Sequence, residues 1–317
     1  MTTASSGLEG AGRISRPGRD VCQPLWAWRA IPFVRQEVAS LKATLEVADP
    51  NMTQILRMSQ AFASKWGPHL ERTVHLFLLF GGHCQAADKV DEHGGEAVSV
   101  DALIHPSHDM SKLEGVLLAT YCGLKVRVAG QTWSSPECKT WSHFLTRDSF
   151  GRLDEDLLGP ESNESVATQN DCMAADAWIL FLVDSRGVFC TNEQPLNSLH
   201  HKVGAMKHTY KVIMAEREVT RLGAFGPDHY KALELYTTNK LGLFRKHIVR
   251  SHYQTRKRLR DAGFEDGKGK PLAAKKGKWT TAADKSQLAK SEHYPEEFAL
   301  AIANLTFDAL QRYGMKL

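Results

Sequence analysis

The sequence lacks long hydrophobic runs. Its longest apolar stretch, residues 74–80, is interrupted by His75, whereas a helix that spans a bilayer needs about 20 consecutive apolar residues. The N-terminus also lacks the apolar segment of a secretory signal. We therefore do not expect an integral membrane protein.

Paired cysteines are missing as well. The chain contains six cysteines and no CxxC pair, whereas small disulfide-stabilised domains are denser in cysteine. Scattered cysteines of this kind are typical of buried free thiols in a reducing compartment. We expect a cytoplasmic or nuclear protein. Import into an organelle is an alternative, because residues 1–33 are rich in Ser, Thr and Arg and poor in acids.

Common catalytic signatures are also absent. The sequence contains no GxGxxG, GxxxxGK[ST], GxSxG or HExxH pattern, which argues against the usual phosphate-binding loops, the nucleophile elbow and the zinc-protease helix. We therefore predict no catalytic residue, no cofactor and no metal ion, and we favour a non-catalytic protein over an enzyme. If a metal site exists, His105, His108 and Asp109 are its candidate ligands.

Hydrophobic spacing indicates helices in most of the chain. Helices are expected at residues 34–48, 53–66, 69–80, 110–124, 200–222, 228–259 and 295–313, and strands at 97–104 and 125–128. The predicted fold is mostly α, a helical core with a few short strands near residues 97–130.

Composition divides the chain into six regions. They are a flexible N-terminal tail at 1–33, a helical or mixed region at 34–130, an irregular linker-like segment at 131–170, a helical region ending in a basic helix at 171–264, a flexible Lys/Gly-rich stretch at 265–290, and a C-terminal helix at 291–317. The terminal helix is expected to dock back on the core.

Positive charge is concentrated in one part of the chain. Residues 240–290, here called the basic segment, contain fifteen Lys and Arg against four acids, a net charge of +11. Because the whole chain carries +4, the remainder carries −7. Such asymmetry favours a polyanionic partner. The candidate binding residues are Arg245, Lys246, Arg250, Tyr253, Arg256, Lys257, Arg258, Arg260, Lys275, Lys276 and Lys278.

These residues predict nucleic-acid binding within a nucleoprotein assembly. Arg and Lys would neutralise phosphates, and Tyr253 would stack on an unpaired base. RNA is favoured over duplex DNA, because no helix-turn-helix, zinc-finger or basic-zipper pattern is present. The alternatives are a solvated helix face followed by a Lys-rich loop, and a nuclear localisation patch.

A structural module that binds a protein partner is a further alternative. Phe298, Ile302, Leu305 and Leu310 provide the apolar positions of the predicted C-terminal helix. If these side chains are exposed, they would pack against another chain, and residues 295–313 would mediate self-association.

Residues 99–185 carry a series of short segments that resembles a known family. The series is VSVDALI, HPSHD, MSKLEGVLLATYCGLK, VRV, SPECKTWSHF, ESNESVA and AADAWILFLVDS. It is similar to the glutathione-transferase-like domains of the type found in elongation factor 1 gamma. The resemblance implies that Glu161 and Ser162 face a glutathione-like ligand. It also implies an interaction scaffold or, less in keeping with these residues, a transferase.

Overall fold

The computed structural model describes most of the middle of the chain and its C-terminal helix. The described residues are 52–82, 84–141, 152–153, 156–226, 231–239, 242–250, 254, 257 and 294–315. The predicted tail at 1–33, helix at 34–48 and Lys/Gly-rich stretch at 265–290 lie outside them. Within the described residues, a six-stranded sheet is covered by helices on both faces. The expected mostly α fold is therefore wrong, and the fold is α/β.

The sheet is mixed, with one reversed strand. Its strands are β1 (Val74–Leu79), β2 (Ala97–Val100), β3 (Val126–Ser134), β4 (Phe189–Pro195), β5 (Glu216–Arg221) and β6 (Ala232–Thr237). Their order across the sheet is β2-β1-β3-β4-β6-β5. Strands β2, β1, β3 and β4 are parallel to one another, whereas β6 is antiparallel to both β4 and β5. Hence β5 runs in the same direction as β4.

The helices form a layer on each face of the sheet. They are α1 (Met52–Trp66), α2 (Gln85–Glu92), α3 (Leu113–Lys125), α4 (Glu164–Asp184), α5 (Gly204–Val212), α6 (Leu243–His247) and α7 (Glu296–Arg312). Helices α1, α3, α4 and α5 share one hydrophobic core with the sheet. Helices α2, α6 and α7 share the other. No helix in the described part of the chain is long and apolar enough to cross a membrane.

The helix predicted at 69–80 is wrong, because these residues contain β1. All six side chains of β1 are buried. A parallel strand that is covered on both faces has a continuous apolar sequence without the alternation of a half-exposed strand. Periodicity does not separate such a run from a buried helix.

The two long helices predicted at 200–222 and 228–259 are also wrong. Helix α5 ends at Val212, and β5 and β6 follow as an antiparallel pair. The strand β4 was missed altogether. Its sequence, FCTNEQP, is polar, yet five of its seven residues are buried. Hydrogen bonds to neighbouring elements make that burial possible, and hydrophobic patterning does not reveal them.

Other expectations are confirmed in location. Helices α1, α3 and α7 lie where periodicity placed them, and β2 occupies part of the expected strand. The segment at 131–170 is less irregular than predicted, since β3 extends to Ser134 and α4 begins at Glu164.

The C-terminal helix α7 docks on the sheet, as expected, and so its apolar face is covered. Phe298, Ile302, Leu305 and Leu310 are all fully buried within the chain. Phe298 packs edge-on against Trp133 of β3 at a centroid distance of 5.8 Å. The premise that these four side chains are exposed to a partner is therefore wrong.

The Arg186 side chain forms hydrogen bonds at the C-terminal ends of α1 and α3, and a substitution at Gly67 tests their contribution to stability. Its guanidinium donates to the carbonyl oxygens of Ala63 (3.4 Å), Gly67 (3.2 Å) and Leu124 (3.2 Å). A Cβ on Gly67 would lie 1.5 Å from Arg186 Nη1. We expect Gly67→Ala to displace the guanidinium and to lower the free energy of unfolding by about 1–2 kcal/mol.

Chemical denaturation would measure this loss. Gly204→Ala is the matched control, because a Cβ there meets nothing within 4 Å at the start of α5. Equal stability of the two variants would contradict the role of Arg186.

Candidate functional site

The carboxyl ends of β1, β2, β3 and β4 lie along one edge of the sheet, because these strands are parallel. The connection from β1 leads to β2 on one side, and the next connection leads to β3 on the other side. Strands β1 and β3 are therefore the switch point of the sheet. Open α/β sheets bind ligands in the crevice at such a point.

The turn after β1 is compact and approaches its neighbours closely. Gly82 and Cys84 have φ angles of 53° and 59°. A Cβ on Gly81 would lie 2.3 Å from Ser99 Oγ. Helix α2 begins at Gln85 without a side chain that caps its first N–H groups. A glycine turn that leads into an uncapped helix is typical of sites for the polar part of a nucleotide.

Asp101 closes this turn from the end of β2. Its Oδ2 accepts a hydrogen bond from the Gly82 N–H at 2.8 Å, and its Oδ1 accepts one from the Leu103 N–H at 2.7 Å. It follows Gly81 by about 20 residues, the spacing at which an acidic residue binds a ribose hydroxyl in Rossmann-type sheets. Each carboxylate oxygen has a second lone pair. Asp101 is therefore able to accept a ribose hydroxyl while it holds the turn.

The segment after β3 brings a thiol to the same edge. The Ser135 N–H donates to the Leu79 carbonyl at 3.0 Å, and Gln194 Nε2 donates to the Pro136 carbonyl at 2.6 Å. The segment is thereby attached to β1 on one side and to β4 on the other. Cys138 follows directly and is a half-buried free cysteine.

A buried arginine supports the far end of this segment. The Arg152 guanidinium lies 3.4 Å from the centroid of the Trp141 ring. It also donates to Thr140 Oγ1 at 3.0 Å and to the Leu157 carbonyl at 2.7 Å. The Trp141 N–H in turn donates to the Cys138 carbonyl at 3.0 Å. These contacts hold the backbone at Cys138 in place.

Two charged groups accompany the thiol. Burial raises the pKa of Cys138, the Lys231 ammonium opposes that change, and the Glu193 carboxylate adds to it. Glu193 is buried in β4, and its Oε1 lies 3.8 Å from Lys231 Nζ. Its Oε2 accepts a hydrogen bond from the Tyr294 hydroxyl. A nucleophile, a carboxyl group and a cation are thus close enough to influence one another.

A second buried carboxyl lies behind the strand ends. Asp176 of α4 accepts hydrogen bonds from Ser134 Oγ and Asn192 Nδ2, both at 2.6 Å. Asn192 Oδ1 accepts one from the Tyr210 hydroxyl at 2.9 Å and lies 3.1 Å from His201 Nε2. Burial raises the pKa of Asp176 to about 7 despite its two donors. The network joins α4 and α5 to β3 and β4 beneath the site.

The predicted basic residues are brought together only in part. Arg245 Nε donates to Glu218 Oε1 at 2.6 Å, and Lys246 Nζ donates to Asp308 Oδ2 at 2.8 Å. The Arg250 guanidinium lies 4.9 Å from the centroid of a phenylalanine ring. These three cations therefore have contacts within the chain. Lys257 is exposed, and the other candidates, Tyr253, Arg256, Arg258, Arg260, Lys275, Lys276 and Lys278, lie outside the described residues.

The other predicted residues are not members of the group formed by Asp101, Cys138, Glu193 and Lys231, here called the edge cluster, although the His105 N–H donates to the Asp101 carbonyl at 3.3 Å. Glu161 and Ser162 are exposed in the turn that precedes α4. The rings of His105 and His108 lie 5.7 Å apart, and Asp109 pairs with its own neighbours in the chain. Among the described residues, no group of three or more His, Cys, Asp or Glu side chains is arranged to hold a metal ion.

Sequence reasoning missed Asp101, Cys138, Glu193 and Lys231 as site residues. The available signal was positional, because polar residues directly after buried parallel strands meet at one edge of the sheet. That signal requires β1 and β4 to be recognised as strands, and both were missed. Asp101 and Cys138 stand in the segments VSVDALI and SPECKTWSHF, whose resemblance to a family gives neither residue a role.

Comparison with known proteins does not assign the chain to a family. No protein-family model matches it, and no match was found among curated proteins or solved structures. The function is therefore argued from the site.

Proposed function

We propose that the protein is a methyltransferase that uses S-adenosylmethionine and modifies a base of a nucleic acid. The observation that carries this proposal is the placement of two groups at neighbouring strand ends. The Gly81–Asp101 turn suits a nucleoside cofactor, and the Cys138–Glu193 pair suits covalent chemistry on a substrate beside it.

The strand order favours this cofactor over a dinucleotide. The sheets that bind dinucleotides are mostly parallel, whereas here β6 is reversed and lies between β4 and β5. A reversed strand in this position is typical of Rossmann-like methyltransferases. Because one fold supports many functions, the residues of the site decide which function this sheet has.

The residues around the turn fit a nucleoside cofactor. Asp101 would accept a ribose hydroxyl, and the backbone at Gly81 packs so closely against Ser99 and Leu78 that a side chain does not fit in the turn. Gln85 Oε1 at the start of α2 is buried and has no hydrogen-bond partner among the described residues. It would be satisfied by a donor of the ligand. When bound, the cofactor supplies an electrophilic methyl group.

The Cys138–Glu193 pair fits attack on an electron-poor ring. A cysteine thiolate is a strong nucleophile, and the Lys231 ammonium favours the thiolate form of Cys138. Addition of the Cys138 thiolate to a pyrimidine ring carbon would raise the electron density at the adjacent carbon, which would then accept a methyl group. Loss of the proton of that carbon to water and expulsion of the thiolate would restore the ring double bond and free Cys138. With a proton on Oε1, the Glu193 carboxyl would donate a hydrogen bond to the ring nitrogen that gains charge, while Oε2 keeps the hydrogen bond from Tyr294.

The basic segment favours a nucleic acid as the source of that base. Its net charge of +11 is the strongest charge feature of the sequence, and phosphate neutralisation provides most of the affinity of proteins for nucleic acids. Arg245 and Lys246 form ion pairs within the chain but stay exposed to water, and Lys257 is exposed as well. We propose that the basic segment guides the nucleic-acid substrate to the site, with RNA favoured over DNA.

Calorimetric titration with S-adenosylhomocysteine tests the cofactor part of the proposal. We expect binding by the full chain and an affinity about tenfold or more weaker in Asp101→Ala, because a buried ribose contact is worth about 1–2 kcal/mol. Asp109→Ala is the control, since the Asp109 carboxylate bonds its neighbours Ser111 and Lys112, and its replacement should leave affinity unchanged. Absence of binding by the unaltered protein would refute the proposal.

Transfer of a labelled methyl group tests the substrate, with single-stranded RNA and duplex DNA as separate arms. The second candidate function is the non-catalytic binding of RNA or another polyanion, favoured by the same +11 charge. Nucleic-acid binding that weakens steeply with salt, without any cofactor binding, would support that function instead.

A further inference from the structure

The Tyr294 hydroxyl occupies a defined place in the site although it lies far from the other residues in sequence. It donates a hydrogen bond to Glu193 Oε2 from 101 positions away. Trp133 Nε1 donates to the hydroxyl oxygen at 3.2 Å, and Ser135 Oγ lies 2.7 Å from it. Tyr294 immediately precedes α7, and its ring packs edge-on against Phe298 at 5.0 Å.

These partners determine the direction of the hydrogen bond. An indole N–H is only a donor, so the bond from Trp133 uses a lone pair of the phenol oxygen. The serine hydroxyl is able to use the second lone pair. The single phenol proton is then directed at Glu193 Oε2, which accepts it whether the carboxyl is ionised or carries a proton on Oε1. The donor to Glu193 is therefore set by residues of β3 and of the following segment.

Other charged and titratable groups around Glu193 act from different sides. Lys231 Nζ lies 3.8 Å from Oε1, the other oxygen of the same carboxyl. Glu193 also affects the pKa values of the Cys138 thiol and the buried His201 imidazole. The donor to Oε2 is the Tyr294 hydroxyl. The phenol and the ammonium together restrict rotation of the carboxyl group.

We propose that Tyr294 is a positioning residue for Glu193, whose carboxyl it holds in the orientation that faces the substrate base. This inference rests on the proposed function, since it assigns a task to the carboxyl in that reaction. Tyr294 does not touch the reacting atoms. It acts through Glu193, and it links the start of α7 to the reaction.

The test compares Tyr294→Phe with the unaltered full chain. Phenylalanine keeps the ring against Phe298 and removes only the hydroxyl. Because the phenol donor holds the Glu193 carboxyl in one orientation, we expect the carboxyl carbon signal of Glu193 to move in the variant. NMR of carboxyl-labelled glutamate would follow this signal, with Glu193→Gln to assign it. We expect kcat to fall about tenfold with KM unchanged, since orientation affects the reaction more than binding.

Tyr313→Phe is the matched control, because Tyr313 is exposed at the other end of α7. It should leave the carboxyl signal of Glu193 and both kinetic constants unchanged. An unmoved carboxyl signal in Tyr294→Phe, or an unchanged kcat, would overturn the positioning role. If the signal moves but the unaltered protein transfers no methyl group to RNA or DNA, the hydrogen bond is confirmed and the proposed function fails.

Discussion

Cys138→Ala is expected to lose methyl transfer by about a thousandfold or more while it still binds S-adenosylhomocysteine. The thiol is the nucleophile of the proposed reaction, whereas the cofactor is bound by the turn at Gly81 and Asp101. The loss would be measured as transfer of a labelled methyl group to whichever nucleic acid, single-stranded RNA or duplex DNA, the unaltered protein methylates. Calorimetry would show that the cofactor site is intact.

The reactivity of the thiol should also depend on pH. Burial and the Glu193 carboxylate raise the pKa of Cys138, so the thiolate fraction is small at neutral pH and increases as the solution becomes alkaline. Alkylation of Cys138 by iodoacetamide should therefore accelerate with pH. The same treatment should abolish methyl transfer.

Cys172→Ala is the matched control for the loss of a thiol. Cys172 is also half-buried and free, but it lies on α4 and not in the segment after β3. Its replacement should leave methyl transfer close to the unaltered level. If Cys138→Ala retained full activity, covalent catalysis by this residue would be refuted, and transfer would have to proceed by direct attack of the substrate.

Asp176→Asn is expected to remove a large part of the pH dependence of stability. The pKa of Asp176 is raised by burial from 3.8 to about 7 in the folded protein. Its contribution to stability is therefore complete below pH 4 and is lost as the pH rises to about 7. At 1.36 kcal/mol per pKa unit, the carboxyl lowers the free energy of unfolding by up to about 4 kcal/mol at pH 8 relative to pH 4.

Asparagine fits the same hydrogen bonds. Its amide N–H₂ is able to donate to Ser134 Oγ, and its carbonyl oxygen is able to accept from Asn192 Nδ2, the partners that Asp176 now has. The variant carries no charge to bury at any pH. Its free energy of unfolding should therefore exceed that of the unaltered chain at pH 8, and the difference should shrink toward pH 4.

Urea denaturation at the two pH values would measure this difference. Asp91→Asn on α2 is the control, because Asp91 is exposed to water and should show the pH dependence of the unaltered chain. A difference between Asp176→Asn and the unaltered protein that is the same at both pH values would contradict the buried, protonated carboxyl.

The candidate site shows how much of the function was accessible from the sequence. The basic segment was evident from composition alone, because charge is a property of the residues and does not depend on their arrangement. The structure then placed Arg245 and Lys246 in ion pairs with Glu218 and Asp308. Which cations are paired within the chain depends on those contacts. The two partners of each ion pair lie 27 and 62 positions apart in the sequence, respectively.

The edge cluster was not accessible in the same way. Asp101, Cys138 and Glu193 belong to three separate segments, and each is an ordinary residue in its own sequence context. Their chemistry arises only when parallel strands bring the segments to one edge of the sheet. The glutathione-transferase-like resemblance, with Glu161 and Ser162 as its ligand residues, stays a prediction.

By itself the sequence determined the positions of α1, α3 and α7 and the separation of charge along the chain. Amphipathic helices and charge clusters are local patterns with a repeat of a few residues. Only the tertiary structure decided that β1 is a strand and that β4 exists. A buried parallel strand has no alternation to reveal it, and the polar side chains of β4 are buried through hydrogen bonds to distant partners. Long-range pairing therefore decided both the fold class and the place where the reactive groups meet.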